Sequence, residues 1–143
     1  MAKSRGKNKK NFFMKKNYLA KIIAKDIAGL QMISACCFEA KIKVGDIKFL
    51  KKNKIFLISL QRFHKEKEDG KEKINSICKF EFIDKVKSKR INQNDNDLVL
   101  ELLAINILKK DQSFEIALLF KNNAFITLSA EIIEVTLEDQ NKS

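Results

Sequence analysis

The sequence has no proline, no tryptophan, four glycines and three cysteines among its 143 residues. An odd number of cysteines without a repeated spacing argues against a disulfide framework and favours a reducing compartment, so we expect the protein to be cytoplasmic. Long apolar runs are also missing. No stretch approaches the ~18 apolar residues of a membrane-spanning helix. The N-terminus lacks the apolar segment of a secretory signal, since its only apolar run is "FFM".

Acidic residues are missing from the N-terminus, where basic residues are abundant. Residues 1–17 hold seven basic residues and no acid, in a chain whose net charge is +11. Such an arm could bind RNA, an anionic membrane surface or an acidic protein, or it could simply keep the chain soluble. Translation from Met14 would remove five of these residues. The seven are Lys3, Arg5, Lys7, Lys9, Lys10, Lys15 and Lys16.

Arginine is scarce. It occurs three times, whereas lysine occurs 26 times, and arginine is the side chain best suited to bidentate contacts with phosphates and bases. Lysine, asparagine and isoleucine all have AT-rich codons, so the base composition of the gene is an alternative source of the positive charge. The scarcity of arginine therefore weakens the case for nucleic-acid binding.

The apolar pattern predicts a single α+β domain over residues 18–140, between a disordered arm (1–17) and a tail (141–143). Residues 18–24 predict a short strand. Asp26 is suited to cap a helix that follows it, and apolar residues cover so much of this helix that we expect it to be well buried. Alternating segments then predict six to seven strands, of which "SICKFEFIDKVKSKRI" and "FITLSAEIIEVTL" each predict a single strand. The expected fold is an N-terminal helix packed on a mainly antiparallel sheet, arranged as a meander or a partly closed barrel.

Two local features of the predicted sheet concern its C-terminal part. Asn122 and Asn123 suit a two-residue hairpin turn, because asparagine tolerates the left-handed conformation. In "FITLSAEIIEVTL" the apolar positions change from even to odd numbers, and a β-bulge near Glu131 would explain the change.

Five ordered segments of the chain carry a family resemblance. They read "LAKIIAKD", "ISACCFEAKIKVGDI", "FEFIDKVKSKRI", "LVLELLAI" and "FKNNAFITLSAEIIEV". Together they resemble the alphaproteobacterial family catalogued as domain of unknown function 2948, over residues 19 to about 139. The resemblance implies a small cytosolic protein without an assigned activity. It does not extend to the basic arm, and Asn122 and Asn123 stand where the family has turn glycines.

The adjacent Cys36 and Cys37 invite a chemical role, but their surroundings argue against one. Neighbouring helical residues point about 100° apart, so both thiols cannot easily face one metal ion. The chain has no CxxC motif, and a structural zinc site needs about four ligands. His64, the only histidine, lies in a charged loop and is expected to be exposed, although a histidine could act as a general base. We therefore predict packing cysteines, and no catalytic residue, metal or cofactor.

Four charged residues interrupt apolar segments or stand at their ends: Asp46, Arg62, Glu131 and Glu134. Charges in such places are usually paired. We expect a buried ion pair of Arg62 with Asp46 or Glu131, and the alternative is a polar ligand site.

The segment "KVKSKRI" predicts a basic stripe, because Lys85, Lys87 and Lys89 alternate along one face of a strand and Arg90 follows. Such a stripe could hold phosphate, although a solvated strand face is the alternative.

No catalytic constellation emerges, so we expect a non-catalytic binding module, with an unknown protein as its partner. The first alternative is an RNA- or ribosome-associated protein that binds phosphate through the arm and the basic stripe. The second is a small enzyme of unknown reaction that uses Asp46, Arg62 or Glu131, which requires the three side chains to converge. The sequence does not predict an oligomeric state.

Overall fold

The computed structural model describes residues 19–63 and 72–140 and contains one α-helix and ten β-strands there. The helix, α1, spans Ile27–Cys36. Short 3-10 turns occupy Val44–Asp46, Lys51–Asn53 and Lys121–Asn123. The strands are β1 Lys21–Ala24, β2 Lys41–Lys43, β3 Ile47–Leu50, β4 Ile55–Phe63, β5 Lys73–Phe80, β6 Ile83–Lys89, β7 Val99–Lys109, β8 Phe114–Phe120, β9 Phe125–Ala130 and β10 Val135–Asp139.

Helix α1 begins where the sequence predicted. The Asp26 carboxylate accepts a hydrogen bond from the Gly29 amide at 2.8 Å, which satisfies one of the unpaired donors of the first turn. Leu30 and Ile33 are buried in the core. The opposite face is exposed, with Met32 61% accessible, so the prediction of a well-buried helix was wrong. The sheet covers one side of the helix, and no described element covers the other.

The strands form one antiparallel sheet in the order β1-β10-β5-β4-β2-β7-β8-β9-β6, and β3 pairs with β4 in addition. We call β1, β10, β5, β4, β3 and β2 the first half, and β7, β8, β9 and β6 the second half. A mainly antiparallel sheet with one helix was predicted. The count of six to seven strands was wrong, because the described residues form ten. The helix is not clearly N-terminal, because the short strand predicted for residues 18–24 is present as β1 and precedes it. The sheet is open, since no ladder joins β3 to β6 among the described strands.

Two predicted strands are each divided between the halves. The chain leaves β5 at Glu81 and enters β6 after Phe82, which has a left-handed φ of 61°. It leaves β9 after Ala130 and enters β10 at Val135. The predicted bulge at Glu131 is therefore wrong: the apolar positions change parity because a crossing separates two strands with different partners. Two backbone hydrogen bonds join the crossings, from Glu81 N to Glu134 O (2.9 Å) and from Glu131 N to Phe82 O (3.1 Å).

The β8–β9 hairpin reverses at the predicted asparagines. Asn122 and Asn123 have φ of 67° and 62°, which asparagine tolerates better than most residues. Four residues separate the two strands rather than two: the 3-10 turn Lys121–Asn123 and then Ala124, whose O accepts a hydrogen bond from Phe120 N at 2.9 Å.

The core lies between the inner faces of the two halves and α1. Alternate residues of each strand contribute to it, as in β4, where Phe56, Ile58 and Leu60 are buried. The Phe56 ring meets the ring of Phe80 on β5 edge to face, with centroids 5.9 Å apart. No described helix is long and apolar enough to cross a membrane.

Candidate functional site

A groove separates β3 from β6. Among the described strands, β3 pairs with β4 and β6 pairs with β9, so each has one edge without a strand beside it. The cavity between them has a volume of about 580 Å³, which is within the usual range for ligand sites. Its apolar lining residues are Val44, Ile47, Phe49, Phe56, Val86, Ile91 and Ile126, and its polar ones, with Gly45, are Lys48, Ser88, Gln93 and Asn96.

The ladder registers show which way the walls of the groove face. Phe49 lies opposite the buried Phe56, and Ser88 lies opposite the buried Ile126, so both point inward. Lys48 lies opposite Leu57 and points to the outer surface. The groove therefore has a mainly apolar interior, into which the polar Ser88 also points, and Lys48 lies on its outer rim.

Backbone hydrogen bonds limit the groove at both ends. At one end Ile83 N donates to Lys54 O at 2.8 Å. At the other end Gly45 N donates to Asn96 O at 3.0 Å. A Cβ atom on Gly45 would lie 3.1 Å from both the Cβ and the O atom of Asn96, so this approach favours glycine. On the β6 side, Gln93 Nε2 donates to Ser88 Oγ at 2.7 Å.

A buried ionic network lies at the end of the core face of the first half. Arg62 is fully buried and donates to Asp139 twice, from Nε to Oδ1 at 3.0 Å and from Nη2 to Oδ2 at 2.8 Å. Ser76 Oγ also donates to Oδ1, at 2.6 Å, and Ala20 N donates to Oδ2 at 2.8 Å. This carboxylate thus receives four hydrogen bonds from three parts of the chain, which is what a buried charge requires.

Burial alone would raise the pKa of the Asp139 carboxyl. The hydrogen bonds from Arg62, Ser76 and Ala20 outweigh burial and hold its pKa below the ordinary value. The network is thus an ion pair whose charged form is the stable one.

Arg62 does form a buried ion pair, but its partner is neither residue proposed from the sequence. Asp46 is exposed in the 3-10 turn after β2, and Glu131 lies 3.7 Å from Lys54 Nζ at the crossing after β9. Within the described chain neither contacts Arg62. Glu134 is half-buried, and its carbonyl accepts from Glu81 N. The convergence required for an enzyme site does not occur, because Arg62 is buried against Asp139 whereas Asp46 is exposed and Glu131 lies beside Lys54.

The predicted basic stripe is present on β6. Lys85, Lys87 and Lys89 are exposed, and they lie opposite outward-facing residues of β9. Arg90 follows with a left-handed φ of 61° and borders a depression of about 280 Å³ beside Lys121. The arm, with Lys3, Arg5, Lys7, Lys9, Lys10, Lys15 and Lys16, lies outside the described residues.

The cysteines lie where packing residues lie. Cys37 and Cys78 are buried in the core, and Cys36 packs against it. Burial, and then the nearby Cys37, raises the pKa of the Cys78 thiol well above its ordinary value, so it stays protonated. The described residues contain no cluster of His, Cys, Asp and Glu that could hold a metal. His64 lies outside them.

A second depression, of about 720 Å³, lies on the outer face of the first half, and Asp46 and Lys41 line it together with Asn75. The strands beneath it are β2, β4 and β5, each of which is paired on both sides. This surface offers side chains only, whereas the groove also offers two strand edges.

Sequence reasoning missed Asp139, Ser76 and the polar residues of the groove. A signal for Asp139 exists, because Val135 and Leu137 predict that odd-numbered residues of the last strand face inward. No comparable signal marks Ser88 or Asn96, since the groove results from strands that are distant in sequence.

Comparison with known proteins gave one result. A family model described as "Protein of unknown function (DUF2948)" matches residues 20–143, which confirms the resemblance seen in the five segments. No curated protein and no solved structure matches the chain.

Proposed function

The chain belongs to the DUF2948 family of proteins of unknown function, and we propose that it is a non-catalytic binding module whose ligand site is the groove between β3 and β6. The groove itself is the observation that supports this proposal. It combines an apolar floor with polar groups at its rim, and it lies between two strand edges without ladder partners. Because of the low cysteine content, the proposal places the module in the cytoplasm.

The experiment is a titration of isotope-labelled protein with a fragment library and short peptides, followed by backbone NMR. We expect shift changes to cluster on Ile47–Leu50 and Ile83–Lys89, the strands that form the walls. Ser88→Trp should abolish these changes, because the indole would occupy the groove. The matched control is Thr127→Trp on the outer face of β9, which should leave the changes intact. The site is refuted if ligands cause shift changes outside the groove in both Ser88→Trp and Thr127→Trp.

A second candidate function is binding of RNA through the basic residues. One observation favours it: Lys85, Lys87 and Lys89 are all exposed on one face of β6. Gel shifts with ribosomal RNA test this candidate at low and high salt. An electrostatic binder is tightest at low salt, so absence of a shift at about 50 mM salt rejects RNA binding. If RNA does bind, replacement of the three lysines by glutamine should weaken binding. The number of phosphate contacts inferred from the salt dependence should fall by about three.

A further inference from the structure

We propose that the groove accepts an extended segment of a partner protein in which apolar residues alternate with acidic residues, and that this segment adds as a strand between β3 and β6. This inference rests on the proposed function, because it names the occupant of the same groove. Three features carry it: the unpaired strand edges, the apolar interior and the positive charge of the rim.

The first feature concerns the backbone. The edge of a strand presents N–H and C=O groups that can pair with another extended chain. Among the described residues, one backbone hydrogen bond, from Ile83 N to Lys54 O, joins β6 to the connection between β3 and β4. No ladder continues from this bond. A strand placed in the groove would find a pairing edge on each side. Addition of a strand to a sheet edge is an established mode of peptide recognition.

The second feature is the alternation of the walls. The inward positions are Ile47 and Phe49 on β3, and Val86 and Ser88 on β6. Phe56 closes the floor beneath them and is 1% exposed. Because side chains of neighbouring strands that share a face lie side by side, the inward residues of an added strand would meet an apolar interior. Every second residue of the occupant should therefore be apolar.

The third feature is the charge of the outer rim. Lys48 projects outward from β3, and Lys85 and Lys87 project outward from β6. No acidic side chain lines the described groove. The outward residues of an added strand would lie between lysines, and a carboxylate there is favoured while a cation is repelled. The same lysines discourage self-pairing of β6 between copies of this chain, since lysine on edge strands opposes such pairing.

The experiment uses the full chain and fluorescein-labelled synthetic peptides of seven residues, the length of β6. The probe alternates valine with glutamate or aspartate. We expect the probe to bind, and a lysine-for-acid version to bind at least about tenfold more weakly, because its outward charges are repelled. A peptide of identical composition with its valines grouped should also be weaker. Methylation of alternate amides should abolish binding, because it removes donors to one edge.

A charge reversal on the chain provides the reciprocal test. Lys87→Glu is exposed, so it should fold normally, weaken the acidic probe by about tenfold and strengthen the lysine peptide. Its matched control, Lys109→Glu at the end of β7, should change neither by more than about twofold. Hydrogen exchange should show that the acidic probe protects amides of both β3 and β6, as strand addition requires.

The outcomes separate this inference from the proposed function. If fragments bind in the groove but the acidic peptide does not, the inference fails and the binding site stands. If the peptide binds without protecting β3 and β6, strand addition is wrong. If an RNA oligonucleotide displaces the peptide and binds more tightly with the same dependence on Lys87, an anionic polymer rather than a peptide is the occupant, and the inference is overturned. If nothing binds in the groove, both proposals fail.

Discussion

At the scale of single residues, Arg62 occupies the least favourable environment, because its charge is costly to bury. Its guanidinium is buried, and the Asp139 carboxylate provides the compensating charge. Removal of one partner from a buried ion pair leaves the other charged in a poorly solvating environment, which is more costly than the loss of the attraction itself. A single substitution in the pair should therefore destabilise the protein by more than the net stabilisation that the pair provides.

The first prediction concerns this pair. Asp139→Asn keeps the size of the side chain but removes its charge, and it should lower the free energy of unfolding by about 3 kcal/mol. Asp46→Asn is the matched control and should change it by less than about 0.5 kcal/mol, because Asp46 is exposed. Urea unfolding followed by circular dichroism measures both. Equal effects of the two substitutions would show that the network does not stabilise the fold.

The second prediction is the pH dependence of the same network. Because the pKa of folded Asp139 is lowered, its contribution to stability is complete above the unfolded pKa of about 3.9 and is lost as the pH falls through the folded value. The stability difference between the native protein and Asp139→Asn should thus be constant near neutral pH and shrink below about pH 4. Urea unfolding of both at several pH values measures it. A difference that stays constant down to pH 3 would contradict the lowered pKa.

At the scale of elements, α1 lies unusually close to β1. A Cβ atom on Gly29 would lie 3.0 Å from both the Cα and the Cβ of Ala24, so the glycine permits the helix to contact the strand. The outer face of α1 has the opposite character. It is apolar and exposed at Ile27 and Met32, and it contributes little to the core.

The third prediction follows from this contact. Alanine normally stabilises a helix by about 1 kcal/mol relative to glycine. Gly29→Ala should instead destabilise the protein by about 1 kcal/mol, because the added methyl forces α1 away from β1. Gln31→Ala, on the exposed face, serves as the helix-propensity control and should be neutral or slightly stabilising. Thermal unfolding compares the two, and a stabilised Gly29→Ala would show that the contact is loose.

The sequence predicted much of the secondary structure but not the partners of the strands. The Asp26 cap predicted where the helix begins, and period-two alternation predicted the approximate positions of most strands. Both signals depend on residues that are neighbours in the chain. Alternation continues through Glu81–Phe82, so it did not reveal that the chain changes partners there. Partner choice depends on which residues meet across the sheet. The same limit applies to Arg62, whose burial was expected but whose partner, 77 positions away, was not.

At the scale of the whole molecule, the second half of the sheet is inserted in the chain between two strands of the first half, β5 and β10. β5 leads directly into β6, and β9 leads into β10, so the chain leaves the first half once, builds the whole second half and then returns to the first half. The hydrogen bonds between Glu81 and Glu134 and between Glu131 and Phe82 join these crossings side by side. The first half is therefore not a continuous segment, and because the core lies between the inner faces of both halves, neither should be stable without the other.

The fourth prediction is that unfolding is cooperative across both halves. Ile83→Ala in β6 and Leu137→Ala in β10 each remove a fully buried side chain, so each should cost about 2–4 kcal/mol. Native-state hydrogen exchange should show that either substitution lowers the protection of slowly exchanging amides in both halves by the same amount. Loss of protection confined to the substituted half would show that the halves unfold separately.

The ladder between β1 and β10 has a consequence for synthesis of the chain on the ribosome. Among the described strands, β1 is the first to be made, and β10, its ladder partner, is the last. Ala20 and Asp139 also bond to each other through their backbones. A nascent chain therefore carries β1 without its partner until translation has passed residue 139, and the carboxylate that neutralises Arg62 arrives with that same strand. Completion of the sheet should be a late event that coincides with burial of the arginine.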